Sequence, residues 1–211
     1  MSILIVGGKG NMGSRYARNL WHLDKEVLIA DVDTKPKEIE KMADRASGII
    51  IATPTDTHSA FILSLSRHKK PILCEKPLCK DVKELKHTLF EARSNGCKVS
   101  MVFQYGILAK PGATGLSSYD YFKHGGDGLA WDCIQIIGLA RRGVTLAENS
   151  DVWRCMINGH SLNIADMDLA YRKFVEGWLL KPDQDMGALV ALHEKTHEID
   201  LEHRKQSGQY H

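Results

Sequence analysis

No stretch of this sequence approaches the ~20 consecutive apolar residues that a membrane-spanning helix requires. There is no C-x-x-C pair, and the five cysteines (74, 79, 97, 133 and 155) are an odd number. That excludes a fully paired disulfide framework and fits a reducing compartment. The opening "MSILIVGGKG" places no basic residue before its short apolar run, so it reads as a strand and not as a secretory leader. Together these absences predict a cytoplasmic protein. Neither sign of charge dominates: 28 Lys and Arg face 26 Asp and Glu, a net charge of +2. Nothing electrostatic therefore calls for nucleic acid or an anionic membrane as partner, and the short basic runs "RHKKP" and "ARRG" read as solvated surface. Internal repeats and low-complexity tracts are also missing.

What is present is a regular alternation. "ILIVG" (3–7), "EVLIAD" (26–31), "GIIIAT" (48–53), "PILCE" (71–75) and "KVSMVF" (98–103) are short, uninterrupted apolar runs, the pattern of strands covered on both faces. Helical segments fall between them, at about 11–23, 36–45, 57–69 and 81–96, with Asp81 as the predicted N-cap of the last. This alternation predicts an α/β fold, a doubly wound parallel sheet. The Gly-, Pro- and Ser-rich "LAKPGATGLSS" (108–118) marks a boundary. The expected domains are 1–107 and a smaller α+β unit over 115–211. In the latter, "SYDYF" reads as a strand and Asn158-Gly159 as a hairpin turn. Ile164, Met167, Tyr171, Phe174 and Trp178 form the apolar stripe of a helix, and a last helix starts near Asp185.

The motif with the most chemistry is "VGGKGNMG", which holds G-x-G-x-x-G as Gly8, Gly10 and Gly13, with Asn11 and Met12 between the last two. It follows a strand and opens a helix, the setting in which such a loop grips a diphosphate. Gly8 is expected at the tight turn, Gly10 where a phosphate approaches the backbone, and Gly13 where helix and strand pack closely. Asp31 ends the second strand, where a carboxylate accepts hydrogen bonds from an adenosine ribose and repels a 2′-phosphate. NAD is thus favoured over NADP, a preference softened by Lys35 nearby.

Residues 49–78, "IIIATPTDTHSAFILSLSRHKKPILCEKPL", resemble the third and fourth strands of the glucose–fructose oxidoreductase / inositol dehydrogenase / MocA family. A T-P-x-x-x-H segment (Thr53 to His58) and an E-K-P segment (Glu75-Lys76-Pro77) carry the likeness, which extends over residues 2–104. It implies a Rossmann domain, a nicotinamide cofactor and a small-molecule substrate, with hydride transfer between them. It also implies roles: Thr53, Pro54, Thr55 and His58 line the cofactor groove, and Glu75 and Lys76 lie beside the nicotinamide. Lys76 then serves as proton donor or acceptor, and the Lys76-Pro77 peptide is cis. An ammonium beside a cationic ring gives up its proton more readily. Family members are about twice as long after the Rossmann domain, so a second domain short of strands is expected. Its sheet supports a homodimer, since unpaired edges favour association.

The departures from the family pattern matter as well. Of its D-x-x-x-H, Asp132 is present but Ile136 replaces the histidine. His124 and Tyr105 are further candidate donors. The expected substrate is a sugar-like carbonyl or alcohol, or that of a reductase acting on bilins or on C=C and C=N bonds, since such reductases depend less on the missing histidine. A dinucleotide-binding sensor or inactivated paralogue is the alternative.

One stretch points elsewhere. "HEKTHEIDLEH" (193–203) contains H-E-x-x-H with a third histidine six residues on, the zinc signature of a peptidase. Asp200 stands where such an enzyme needs a turning glycine, and "EIDLEHRK" continues as helix, carrying His203 away. The stripe Leu189, Leu192, Thr196 and Ile199 gives the segment a packing role instead. No metal is expected.

Overall fold

A computed structural model of the chain describes residues 1–104, 116–122, 131, 134–139, 145–149, 152–157 and 164–206. Strands β1 (Ser2–Val6), β2 (Glu26–Ala30), β3 (Gly48–Ile51), β4 (Ile72–Cys74) and β5 (Val99–Met101) form one parallel sheet in the order β2-β1-β3-β4-β5. Helices α1 (Asn11–Trp21), α2 (Pro36–Arg45), α3 (His58–Leu65) and α4 (Val82–Ser94) make the crossovers. The apolar runs have no polar face because both sides of the sheet are covered. Leu4, Val6, Ile49, Ile51 and Ile72 pack against α2, α3 and α4, while Ile3, Ile5, Ile50 and Leu73 pack on the opposite side against α1. Pro36 opens α2 with its φ already helical. Asp81 caps α4, its carboxylate accepting from the Glu84 amide at 2.7 Å.

The remaining described elements are β6 (Leu116–Phe122), α5 (Ile134–Leu139), β7 (Thr145–Asn149), β8 (Val152–Ile157), α6 (Ile164–Leu180) and α7 (Met186–Gln206). β6, β8 and β7 form an antiparallel three-stranded sheet in that order. β7 and β8 are adjacent antiparallel partners, and Asn158-Gly159, the hairpin turn expected from the sequence, lies outside the described residues.

Helices α6 and α7 pack back onto the parallel sheet. The α6 residues Tyr171, Val175 and Trp178 join the core on the α1 side. The Tyr16 and Tyr171 rings meet edge-on, 5.7 Å apart at 85°, and Arg15 pairs with Asp168 at 3.0 Å. The Trp178 ring lies over Gly48 so closely that a Cβ there would come within 2.9 Å of it. Just ahead of α7, the Gln184 side chain accepts from the Met101 amide at 3.0 Å and donates to the Met101 carbonyl at 2.9 Å. A side-chain amide thus imitates one more strand on β5, occupying its exposed edge. Among the described residues no helix is long and apolar enough to cross a membrane.

Removing the Trp178 ring leaves a cavity against β1 and β3. Trp178→Ala is expected to cost about 3–5 kcal/mol, read as a lower urea midpoint at unchanged m-value.

Candidate functional site

Because both faces of the parallel sheet are buried, polar groups gather where the strands end. The loop after β1 shows how closely backbone meets backbone there. Gly7 has φ +81°, and a Cβ on it would lie 2.7 Å from the Ala52 carbonyl oxygen. A Cβ on Gly13 would lie 2.1 Å from the Gly7 oxygen and 2.6 Å from the Gly8 Cα. Helix α1 can pack this tightly on the turn only without a side chain at Gly13. The tight turn expected at Gly8 therefore belongs to Gly7; a Cβ at Gly8 would instead press on the Ile29 side chain, 2.6 Å away. Gly10 precedes the first helical residue in an extended conformation, and no side chain caps the helix and no acid sits in its first turn. Asn11 and Met12 form that first turn.

Asp31 follows β2 beside this loop. Its carboxylate accepts from the Lys9 amide at 2.7 Å and from the Val32 amide at 2.9 Å, and its own amide donates to the Thr34 hydroxyl at 2.9 Å. The Lys9 ammonium pairs with Asp33. A largely apolar cleft of about 610 Å³ opens between these residues and the turn after β3, with Gly7, Gly10, Asp31, Thr53 and Pro54 in its walls.

After β3 the Thr57 hydroxyl lies 2.8 Å from the Thr53 hydroxyl and 2.7 Å from the Pro54 carbonyl, tightening the turn. Thr55 begins a short 3₁₀ turn and lines a neighbouring pocket with Cys79 and Lys80. His58 is buried, and its ring bridges two carbonyls, Thr53 at 2.8 Å and Pro77 at 2.8 Å. It thus lies beneath the groove, clamping the turn after β3 to the turn after β4. His58 is absent from the walls of the 610 Å³ cleft.

β4 runs into Glu75, Lys76 and a cis Lys76-Pro77 peptide. Glu75 is buried; its Oε1 accepts from the Tyr16 hydroxyl at 2.6 Å and its Oε2 from the Lys76 amide at 3.1 Å. Burial pushes the Glu75 carboxyl above its ordinary range, opposed by these two donors. Burial raises the Tyr16 hydroxyl well above its own, reinforced by Glu75. On the far side of Tyr16, the Tyr171 hydroxyl accepts from the Gln104 side chain at 2.8 Å. Lys76 is half-buried at the strand end. Tyr105, His124 and Asp132 lie outside the described residues, as do the side chains of Gln135 and Ile136. Sequence reasoning misses Gly7, Tyr16 and Gln104 here, and it gives Tyr171 only a packing role. The doubled glycine marks Gly7, but nothing in the sequence marks Tyr16 as a partner for Glu75, 59 positions away.

His193, the first histidine of the zinc-like motif, is fully buried. Its Nδ1 donates to the Leu189 carbonyl at 2.7 Å, and its Nε2 accepts from the Leu78 amide at 3.2 Å. The ring lone pair is thereby used to dock α7 on the turn after the cis-proline. His197 is exposed, and Glu194 pairs with Lys86 at 2.7 Å. Helix α7 continues unbroken to Gln206.

Comparisons with known proteins agree with this geometry. A family model described as "Oxidoreductase family, NAD-binding Rossmann fold" (GFO_IDH_MocA) matches residues 37–103. The chain is similar to an inositol 2-dehydrogenase of Rubrobacter xylanophilus, 34% identical over 92 residues, covering 35% of this chain and 26% of that protein. It is also similar to a myo-inositol 2-dehydrogenase of Thermotoga maritima, 21% identical over 148 residues, covering 54% and 44%. The chain thus spans less than half the length of these curated relatives. In fold it is similar to a Gfo/Idh/MocA family oxidoreductase from Vibrio cholerae, with TM-score 0.68, 12% identity and 99% of each chain covered. A further structural neighbour is the WlbA dehydrogenase from Thermus thermophilus in complex with NAD and UDP-GlcNAcA, with TM-score 0.67, 12% identity, and 95% and 94% covered.

Burial pulls the His193 imidazole down to about 4, so the folded chain holds it neutral while the unfolded chain protonates near 6.5. The contribution to stability is complete above pH 6.5 and is lost as pH falls from there toward 4, by about 3 kcal/mol in all. His193→Gln keeps an acceptor for the Leu78 amide without a titrating proton. Its unfolding free energy, measured from pH 7 to 4, is expected to fall less steeply than that of the parent chain. Parallel curves would remove His193 as the source.

Proposed function

We propose a function from one premise: this chain is a member of the Gfo/Idh/MocA family of oxidoreductases with an NAD-binding Rossmann fold. In this reading it binds a nicotinamide dinucleotide along the carboxyl edge of the parallel sheet. It then catalyses hydride transfer to or from a small polar molecule bearing a carbonyl, imine or alcohol. One observation carries the reading. In the order β2, β1, β3, β4 the strand ends present a carboxylate (Asp31), the glycine-rich loop from Gly7 to Gly13, the Thr53-Pro54 turn and Lys76. Three steps between adjacent strands, at about 4.8 Å each, make roughly 14 Å, a span suited to an extended dinucleotide. Doubly wound sheets bind ligands at this edge, where the strand order reverses.

The residues fit the group. The close backbone packing at Gly7 and Gly13 seats the first turn of α1 at the strand ends, and the main-chain amides of residues 11–13 there suit a diphosphate, at a helix end that carries no acid. Asp31 accepts the adenosine ribose hydroxyls, and its charge disfavours a 2′-phosphate. The Lys9 ammonium is committed to Asp33, so NAD is favoured over NADP. Thr53, Pro54 and Thr55 flank the dinucleotide, and His58 holds their turn in place. When bound, the cofactor supplies or accepts the hydride. Lys76 holds or moves the proton at the substrate heteroatom, oriented by the grip of Glu75 on its amide. Asp132, His124 and Tyr105 belong to the substrate side of this proposal. The inositol dehydrogenases among the relatives favour a polyol and its keto form as the substrate pair.

Titration calorimetry with NADH and NADPH, followed by a screen of polyols, carbonyls, imines and bilins, tests the reading. Lys76→Ala is expected to lower turnover by at least about a hundredfold while the dissociation constant of the dinucleotide stays within about threefold. Unchanged turnover would remove Lys76 from its role. Absence of binding by either dinucleotide would remove the function, and binding without turnover of any substrate would favour a dinucleotide sensor.

A further inference from the structure

The cleft beside Asp31 is larger than a ribose requires, and it continues between α2 and α3. Its walls there are apolar: Val32, Pro36, Ile39 and Phe61. Val32 is fully exposed, an apolar side chain left facing water unless a ligand covers it. Elsewhere in the walls the lining turns polar, at the half-exposed Glu40 on α2 and at Ser64 on α3. Flat apolar walls with a polar end match a purine, which has apolar faces and a hydrogen-bonding edge.

The hydrogen bonds at that end have a direction. The Ser64 hydroxyl donates to Glu40 Oε1 at 3.3 Å, so its proton is committed and its lone pairs remain. Glu40 Oε2 is held by His68 Nε2 at 2.5 Å, and His68 Nδ1 is held in turn by Asp44 at 2.7 Å. His68 is mostly buried and is not among the residues lining the cleft, and it holds the Glu40 carboxylate in place. What remains at the polar end is acceptors: the free lone pairs of Glu40 Oε1 and of the Ser64 hydroxyl.

We infer that Glu40, together with Ser64, is the residue pair that selects adenine, by accepting hydrogen bonds from its exocyclic amine. A 6-oxo purine such as hypoxanthine presents an acceptor at the same place and meets lone pair with lone pair. His68 is a positioning residue, acting only through Glu40. This inference rests on the dinucleotide reading above and names a determinant of its specificity.

The experiment compares NADH with its hypoxanthine analogue, reduced nicotinamide hypoxanthine dinucleotide, by titration calorimetry on the full chain. The parent chain is expected to bind NADH about tenfold more tightly than the analogue. Glu40→Ala is expected to bring that ratio close to one. Glu40→Gln, which keeps the shape and adds an amide donor for the 6-oxo group, is expected to narrow the ratio or reverse it. The Gln variant preserves the test should the Ala variant disturb the fold. Equal dissociation constants for the two dinucleotides in the parent chain, or a ratio that both variants leave unchanged, overturn the inference while the dinucleotide reading stands. Failure of the parent chain to bind either one overturns both together.

Discussion

The molecule is governed by the burial of its parallel sheet on both faces. Ile3, Leu4, Ile5, Ile49, Ile50, Ile51, Ile72 and Leu73 are all fully inaccessible, so no functional group can be carried in the body of a strand. Chemistry is confined to the strand ends, and there the chain must turn from a dry interior into a helix within a few residues. At the end of β1 that turn is made by bringing backbone onto backbone, with Gly7 and Gly13 inside van der Waals reach of one another. At the end of β4 it is made by a cis-proline, with a buried carboxylate just ahead of it. The glycine loop and the Glu75-Lys76-Pro77 turn solve the same geometric problem, which is why they occupy one edge.

Such an edge needs support, since a buried polar group without a partner costs on the order of 1–3 kcal/mol. The support comes from residues far away in the sequence. Tyr16 reaches from α1 to Glu75, His58 ties the turn after β3 to Pro77, and His193 reaches from α7 to Leu78. Three elements of the chain thus converge on the four residues from Glu75 to Leu78. Lys76 extends from a peptide gripped on both sides, a condition for placing an amine reproducibly. Gln184 plays a similar part for β5, and through it the segment ahead of α7 is fastened to the sheet edge.

The legible part of this design was what repeats or punctuates locally. Five apolar runs gave five strands, and the intervening periodicity gave α1 to α4, with Asp81 capping α4 as its position suggested. Asp31 and the glycine loop could be placed together because a strand–turn–helix connection leaves few ways to fold. The cis peptide at Lys76-Pro77 followed from the family likeness and not from the residues alone. What could not be read depends on distance in sequence. No local pattern joins Tyr16 to Glu75, or Gln104 to Tyr171, because each pairing exists only after a helix has docked on the sheet.

The histidine-rich stretch shows why a motif must be weighed by what its atoms already do. H-E-x-x-H places two imidazoles one helical turn apart on any helix, so the spacing alone is a property of helices and not of zinc. A ligand needs a free lone pair on an accessible nitrogen. His193 faces the turn after the cis-proline, and there its Nε2 lone pair accepts from the Leu78 amide while its Nδ1–H donates to the Leu189 carbonyl. Of the three residues of H-E-x-x-H that could have faced a metal, His193 faces inward, His197 faces water, and Glu194 answers Lys86. A histidine suits the inward position because it is the only side chain that can both accept from one amide and donate to one carbonyl through a rigid ring, and this is possible only while it stays neutral. The same burial that depresses its protonation makes it a connector between α7 and the Lys76 turn.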